Sequence, residues 1–500
     1  VHRVTLFIGR LCLAAMTAAT GAARPVTAAA ADPPSSAAAR AAYASAAALQ
    51  NRAAWELAAE EWQALVAAHP ADPLALKGRF YLAICQLKGG DWPAAEETLR
   101  AVIASKADPD TRALARLELG RGLFRAAQAK PAPPAHAAAA AALAEFLAAA
   151  PNHPQAAEAL SLEAESLWQA GRRGEAIAAW QAFLQKHPQA AQLPDVLYAL
   201  GVGLAEEQKR AEAEAVLARF AKEHPGHRLA DDVALWRADL TLALGRAAEA
   251  EKIAAPVAAG TGPRAADALE RLADARWAAK NYPAAAEAYA KLAAGPAGPQ
   301  ATRGALLAGR GFAEAGRLDD ARKWLTAASA TGGPTALDAA HRLCLLELDA
   351  KRPQAALDVA TKALAAAGNA AAGKKDPKQA VDPAALAALE LDRADALWAL
   401  PERKVDALAA FLAVADRHSA TPAAGPALSM AALALLQAGK PADALARAEA
   451  FLANHAAGAT PAALADVRAI RGEALLALGK HAAAAAAYRE LVAADPAAGK

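Results

Sequence analysis

The chain has 500 residues, is 56 % hydrophobic but only 5 % aromatic, and carries a formal charge of +2 from 54 basic and 52 acidic residues. So small a surplus leaves little for a basic face, which excludes a polyanion-binding role and with it nucleic acid. Alanine dominates, and alanine has the highest helix propensity, so helices are favoured with few large side chains and must be closed by small-residue packing and scattered bulky residues.

Residues 1–31 read as a secretion signal. His2-Arg3 is a short basic start, Val4 to Gly9 and Leu11 to Gly21 are apolar, and Ala29-Ala30-Ala31 offers a cleavage site before Asp32. Arg10 interrupts the apolar run, so a non-secreted, frayed N-terminal tail stays open as the other reading. Gly9-Arg10-Leu11 before Cys12 is not a small-residue lipobox, which argues against lipid anchoring. Cleavage would remove Arg3, Arg10 and Arg24 and no acid, taking the formal charge from +2 to −1. No later run is long and uncharged enough to cross a bilayer.

Beyond the signal, an alanine recurs at the start of a predicted helix, usually with a bulky residue four positions later: Ala58, Ala95, Ala142, Ala176, Ala213, Ala250, Ala285, Ala321, Ala356, Ala407, Ala444 and Ala484. Successive spacings are 37, 47, 34, 37, 37, 35, 36, 35, 51, 37 and 40. A period near 34 to 37 marks helix-turn-helix units stacked in a row. The clearest unit runs Gly171 to Pro188: Ala176, Trp180 and Phe183 form one helical stripe, Pro188 stops the helix, and Gly171 makes the turn before it. Ala213, Leu217, Phe220 and Pro225 repeat this grammar, as do Ala285, Tyr289 and Leu292, and Ala484, Tyr488, Leu491 and Pro496. The 47-residue step contains Lys130 to Pro134, predicted as a stiff proline-rich loop near 128–136. The 51-residue step contains the glycine- and lysine-bearing stretch after Gly368, predicted as a flexible basic loop near 368–383. Cys85 and Cys344 fall in distant repeats, so two buried thiols and no intramolecular disulfide are expected. After Asp495 the sequence has no closing helix with a polar outer face, so the last repeat is exposed, stacks on a partner or another copy of the chain, or continues into a longer protein.

This pattern resembles the tetratricopeptide repeat family over nearly all of residues 40–496, best in the repeats ending at Pro70, Pro188, Pro225 and Pro496. It is degenerate where the fourth position after the alanine is Ala254, Ala360 or Ala448. The Phe-(x)3-His-Pro endings at Phe183 to Pro188 and Phe220 to Pro225 also look like envelope tetratricopeptide proteins of Gram-negative bacteria, such as the Tol-Pal coordinator and outer-membrane assembly lipoproteins. The resemblance implies an all-α, right-handed superhelical solenoid of about 12 repeats over residues 32–500, in which the first helix of each pair lines a concave groove. It would place Lys77, Tyr81, Arg121, Arg125, Glu165, Trp168, Asp195, Tyr198, Asp232, Trp236, Asp239, Asp274 and Trp277 there. Such a groove starts basic, turns acidic from Glu165 to Asp274, and concentrates Trp and Tyr, common interface anchors, in its middle. The bland alternative is that these aromatics pack between helices and the charges are solvated faces.

No catalytic signature occurs: no H-E-x-x-H, no G-x-S-x-G, no phosphate-cradling G-x-x-x-x-G-K-[ST] and no C-x-x-C. His69, His153, His187 and His224 precede prolines, and His418 and His455 close later helices, where a charged imidazole complements the helix C-terminus. The G-x-G stretches at Gly120, Gly201 and Gly309 follow helix periodicity, so their first glycines are close-packing positions rather than nucleotide loops. The asparagines lie at turns or helix ends, which rules out a carboxylate clamp of the chaperone-adaptor kind. The sequence therefore points to a non-enzymatic scaffold without cofactor or metal, exported to the periplasm or cell envelope and binding protein segments. A polysaccharide- or peptidoglycan-binding protein and the regulatory arm of a larger assembly remain as alternatives.

Overall fold

The computed structural model describes residues 35–373 and 382–494; the signal reading of residues 1–31, Cys12 and half of the second predicted loop lie outside them. The described residues form 24 α-helices and two single-turn 3₁₀ segments, with no strand among them. A division between Gly245 and Arg246 separates two compact units. The first contains α1 (Ala37–Asn51), α2 (Trp55–Ala68), α3 (Pro73–Lys88), α4 (Trp92–Ala104), α5 (Pro109–Ala129), α6 (Pro133–Ala149), α7 (Ala156–Gln169), α8 (Arg173–Lys186), α9 (Leu193–Glu206), α10 (Arg210–Glu223) and α11 (Ala230–Ala243). The second contains α12 (Ala247–Ala258), α13 (Ala265–Ala278), α14 (Tyr282–Ala293), α15 (Pro299–Glu314), α16 (Leu318–Ser329), α17 (Pro334–Asp349), α18 (Pro353–Gly373), α19 (Pro383–Trp398), α20 (Lys404–Arg417), α21 (Ala424–Gln437), α22 (Pro441–Asn454), α23 (Pro461–Ala477) and α24 (His481–Ala494). Within each unit a helix packs chiefly on its chain neighbours, so each unit is a stack of helical hairpins.

The anchor alanines explain the stacking. Eleven of the twelve are the fourth residue of an even-numbered helix and none is more than 7 % exposed. Ala142 is the exception, the tenth residue of α6, because that helix starts early at Pro133, and Ala139, four before Leu143, holds the equivalent place. Five residues before the anchor, the chain turns through a left-handed residue: Gly90, Gly171, Gly245, Gly316, Gly439 and Gly479, and the non-glycines Ala53, Gln208, Lys280 and Lys351. Within each unit that one conformation reverses the chain after the first helix and starts the second. The two exceptions belong to Ala142 and Ala407, the anchors that follow the long spacings.

The G-x-G pairs are contacts on two sides of one helix, since residues two apart point about 200° away from each other. A Cβ on Gly120 or Gly309 would lie 2.6 Å from Leu143 or Leu325, and one on Gly201 would strike Leu217, each in the second helix of the same hairpin. A Cβ on Gly122, Gly203 or Gly311 would instead meet Trp92, Trp180 or Ala286 of the hairpin before. These glycines let a first helix nest between two second helices, as the sequence implied for the first of each pair.

The two predicted loops need correction. Six of residues 128–136 are helical: α5 continues to Ala129 and α6 begins at Pro133, leaving a link of only three residues, Lys130 to Ala132. The extra length goes into a 21-residue α5 and a 17-residue α6, because the flanking alanines propagate helix and a proline at the first helical position is compatible with one. Likewise α18 runs through Gly368 to Gly373, six residues into the second predicted loop; residues 374–381 lie outside the described residues, and Asp382 and Pro383 cap and start α19.

Candidate partner-binding surface

Odd-numbered helices carry the thirteen side chains that the sequence singled out. They fall near 18, 14–15, 11 and 8 residues before the anchor in the hairpins of regular length, which puts them along one helical stripe. Their burial divides them. Glu165 and Trp168 are 3 % exposed and Tyr198 is 5 % exposed, so these three belong to the packed interior. Trp168 packs against Trp180 at 5.7 Å between ring centroids, and the Arg173 guanidinium lies 4.9 Å above its ring. Gly203 creates the hollow that admits both indoles, its Cβ position lying 3.3 Å from Trp168.

Lys77, Tyr81, Arg121, Asp195, Asp232, Trp236, Asp274 and Trp277 are half-buried, and Arg125 and Asp239 are exposed. Tyr81 stacks on Trp62 at 5.3 Å and meets Tyr43 and Phe80 edge-on. Arg121 bridges hairpins, giving Nη1 to Glu118 at 2.6 Å and Nε and Nη2 to Glu158 of α7 at 3.0 and 2.5 Å. Burial works against its charge, but the two carboxylates outweigh that and hold its pKa above the usual value. Asp195 accepts from Arg228 at 2.7 Å. In the second unit, Asp274 accepts a short hydrogen bond from the Tyr289 hydroxyl, and burial with this carboxylate pushes the phenol pKa up. Trp277 meets Tyr282 edge-on at 5.2 Å and carries Arg310 over its ring at 5.3 Å.

Two of the predicted acids, Asp195 and Asp232, thus have structural work, and Glu158 and Asp267 share it. Glu158, Asp195, Asp232 and Asp267 sit in the first turn of their helices, where a negative charge complements the helix dipole. The histidine endings are structural too. His69, His187, His224, His418 and His455 are the C-caps of α2, α8, α10, α20 and α22. Three of these rings rest on the phenylalanine one turn back, at 5.6 Å for Phe183–His187, 5.7 Å for Phe220–His224 and 6.3 Å for Phe451–His455.

Charged pairs between successive hairpins were not foreseen. The residue just after the anchor reaches the next first helix: Glu214 to Arg237 at 2.9 Å, Glu251 to Arg276 at 2.8 Å and Arg322 to Glu347 at 2.5 Å. His341 and Asp392 also meet, at 2.6 Å. Each lies 15 residues before its anchor, and that shared register was the available signal. Cys85 and Cys344 are both free and buried. Among the described residues no three His, Cys, Asp or Glu side chains are placed to hold a metal ion, and no helix is long and apolar enough to cross a membrane.

A tetratricopeptide repeat family model matches residues 55–110, 161–193, 257–301 and 429–499, and another tetratricopeptide repeat model matches 195–227. The chain carries tetratricopeptide repeats. No curated protein matches the sequence. Similar solved structures include Naa15/Naa10 bound to HypK-THB, at 13 % identity and TM-score 0.40, covering 88 % of this chain and 68 % of that one. The APC/C hetero-tetramer Cut9-Hcn1 follows at 11 % identity and TM-score 0.32, covering 92 % and 94 %. A tetratricopeptide repeat protein from Parabacteroides merdae is 16 % identical with TM-score 0.31, covering 54 % and 98 %.

Proposed function

We propose that this chain, built of tetratricopeptide repeats, is a non-enzymatic scaffold of the bacterial periplasm or envelope that holds a segment of a partner protein against its first helices. The observation that carries this reading is the set of accessible side chains on those helices. Tyr81, Arg125, Trp236 and Asp239 in the first unit, and Trp277 in the second, keep exposed surface on elements otherwise committed to packing. Half-buried aromatics held by their neighbours suit a partner segment, because little rotamer entropy is lost on contact. Export rests on the basic-apolar-small order of residues 1–31. The narrower likeness to Tol-Pal and outer-membrane assembly proteins rests on the Phe-(x)3-His-Pro endings, which ring packing at the helix end accounts for without reference to a pathway.

Sugar stacking on Trp168 has less support. One neighbour of that ring is Trp180, another is the Arg173 guanidinium, and 3 % exposure leaves no face for a pyranose. A photo-crosslinking residue at Trp236 or Arg125, compared with one at exposed Lys222 on a second helix, tests the proposal in envelope preparations. The expected result is discrete protein adducts from the first two positions and none from the third. Equal labelling from all three, or adducts to glycan alone, would overturn it.

A further inference from the structure

The repeats show how one hairpin receives the next. First helices turn small residues, 17 and 10 positions before their own anchor, toward the preceding second helix. Gly78 places its Cβ position 3.0 Å from Trp62, Gly304 3.0 Å from Tyr289 and Ala293, Gly203 3.1 Å from Trp180, and Gly311 2.9 Å from Ala286. Counted from their anchors, the receiving residues sit at one, four and eight positions onward, which is one stripe of the second helix. Ala268 and Ala275 of α13, both 0 % exposed, show that alanine serves at those two small positions as well as glycine. Before Ala484, the residue four after the anchor is at most 2 % exposed in every case.

On α24 the same stripe is Ala485, Tyr488 and Val492, and it is open. Tyr488 is half-buried, Val492 is 44 % exposed, and the two line a cavity of about 420 Å³ with Ala485, Arg489 and Ala493. On α1 the two small positions are Ala41 and Ala48. Both are exposed, with Ala44 and Ser45 between them, while the opposite face buries Ala39, Tyr43, Ala46 and Gln50. The described residues therefore contain one unfilled seat and one unused insert of the same repeat register.

We propose that the outer face of α24 receives α1 of a second copy of this chain, so that copies associate head to tail. The contact continues the hairpin-to-hairpin packing inside each unit, with Tyr488 over the Ala41–Ala48 face. Being heterologous, it joins two different faces, so every copy offers one seat and one insert and association rises with concentration. It is independent of what the first-helix side chains bind.

Sedimentation of the full chain across a concentration series tests this, together with disulfide trapping between two single-cysteine substitutions, Ala48→Cys and Val492→Cys. The expected result is a mass that rises with concentration, and a mixed disulfide when the two variants are combined. Val492→Arg and Ala48→Arg, each at an exposed position, should separately weaken association at least tenfold with unchanged helical circular dichroism. A mass that stays monomeric throughout, or association that survives both arginine variants without the mixed disulfide, would overturn it.

Discussion

A single methyl group decides how closely two helices of this chain approach. Gly201 rests on Leu217 with no room for a Cβ, and Leu217 is itself 0 % exposed, so it has nowhere to move. Gly201→Ala should therefore destabilise the first unit by about 1–3 kcal/mol through overpacking, despite alanine's better helix propensity. Gly174, with nothing near its Cβ position, is the control, and the same change there should be neutral or stabilising. Thermal melts of both variants check the pair, and equal destabilisation would remove the close-packing account of the G-x-G stretches. These positions were legible because glycine inside a helix is costly unless something fills the space. Trp168 was not. Its place in the stripe follows from spacing, but its burial depends on Trp180, twelve residues on, and on the hollow at Gly203 in a third helix. Periodicity gives direction along one helix and says nothing about the depth its neighbours create.

Between elements, the contact of α17 with α19 is the one where charge and burial conflict. Asp392 is 2 % exposed and pairs with His341, while Asp395, one turn along α19, is pushed up to about 7 by burial and then by the charge on Asp392. Burial raises Asp392 as well, against the pull of His341, and the bond to Asp392 raises His341. Asp338, Arg342, Cys344 and Glu347 are the other ionisable groups contributing from α17. For the sign, a carboxyl whose folded pKa exceeds its unfolded value weakens the fold as pH climbs from the ordinary carboxylate range toward 7. A raised histidine contributes stability below its ordinary value and loses it as pH passes its folded value. Both act the same way, so hydrogen-exchange protection of α17 and α19 should fall from about pH 5 to about pH 8. Asp395→Asn should flatten much of that slope; a profile that rises with pH, or one unaffected by the substitution, would contradict it. The pair escaped notice in the sequence because it spans a 51-residue step whose register only the anchors reveal. The short link near 130 has a related cause: in the sequence a proline run signals a break, whereas Pro133 stands at the first helical position, where a helix tolerates one.

Across the whole chain, buried apolar side chains collect in local clusters that span neighbouring hairpins within a unit, as in the group holding Trp168, Trp180, Phe183, Leu217 and Phe220. Stability built this way is a sum of nearest-neighbour contributions. The twelve alanines made the repeat legible from sequence because any larger residue would separate the helices there. What the chain binds was less legible, since half of the candidate stripe serves packing and ion pairs between hairpins. Trp180 tests the central claim most directly, being 1 % exposed at the junction of α7, α8 and α9. Hydrogen exchange on Trp180→Ala, which should cost about 3–5 kcal/mol, is predicted to show protection lost around α7 to α10 and kept in α19 to α24. A uniform loss of protection over every helix would mean one global core, and the account of stacked, neighbour-stabilised hairpins would be wrong.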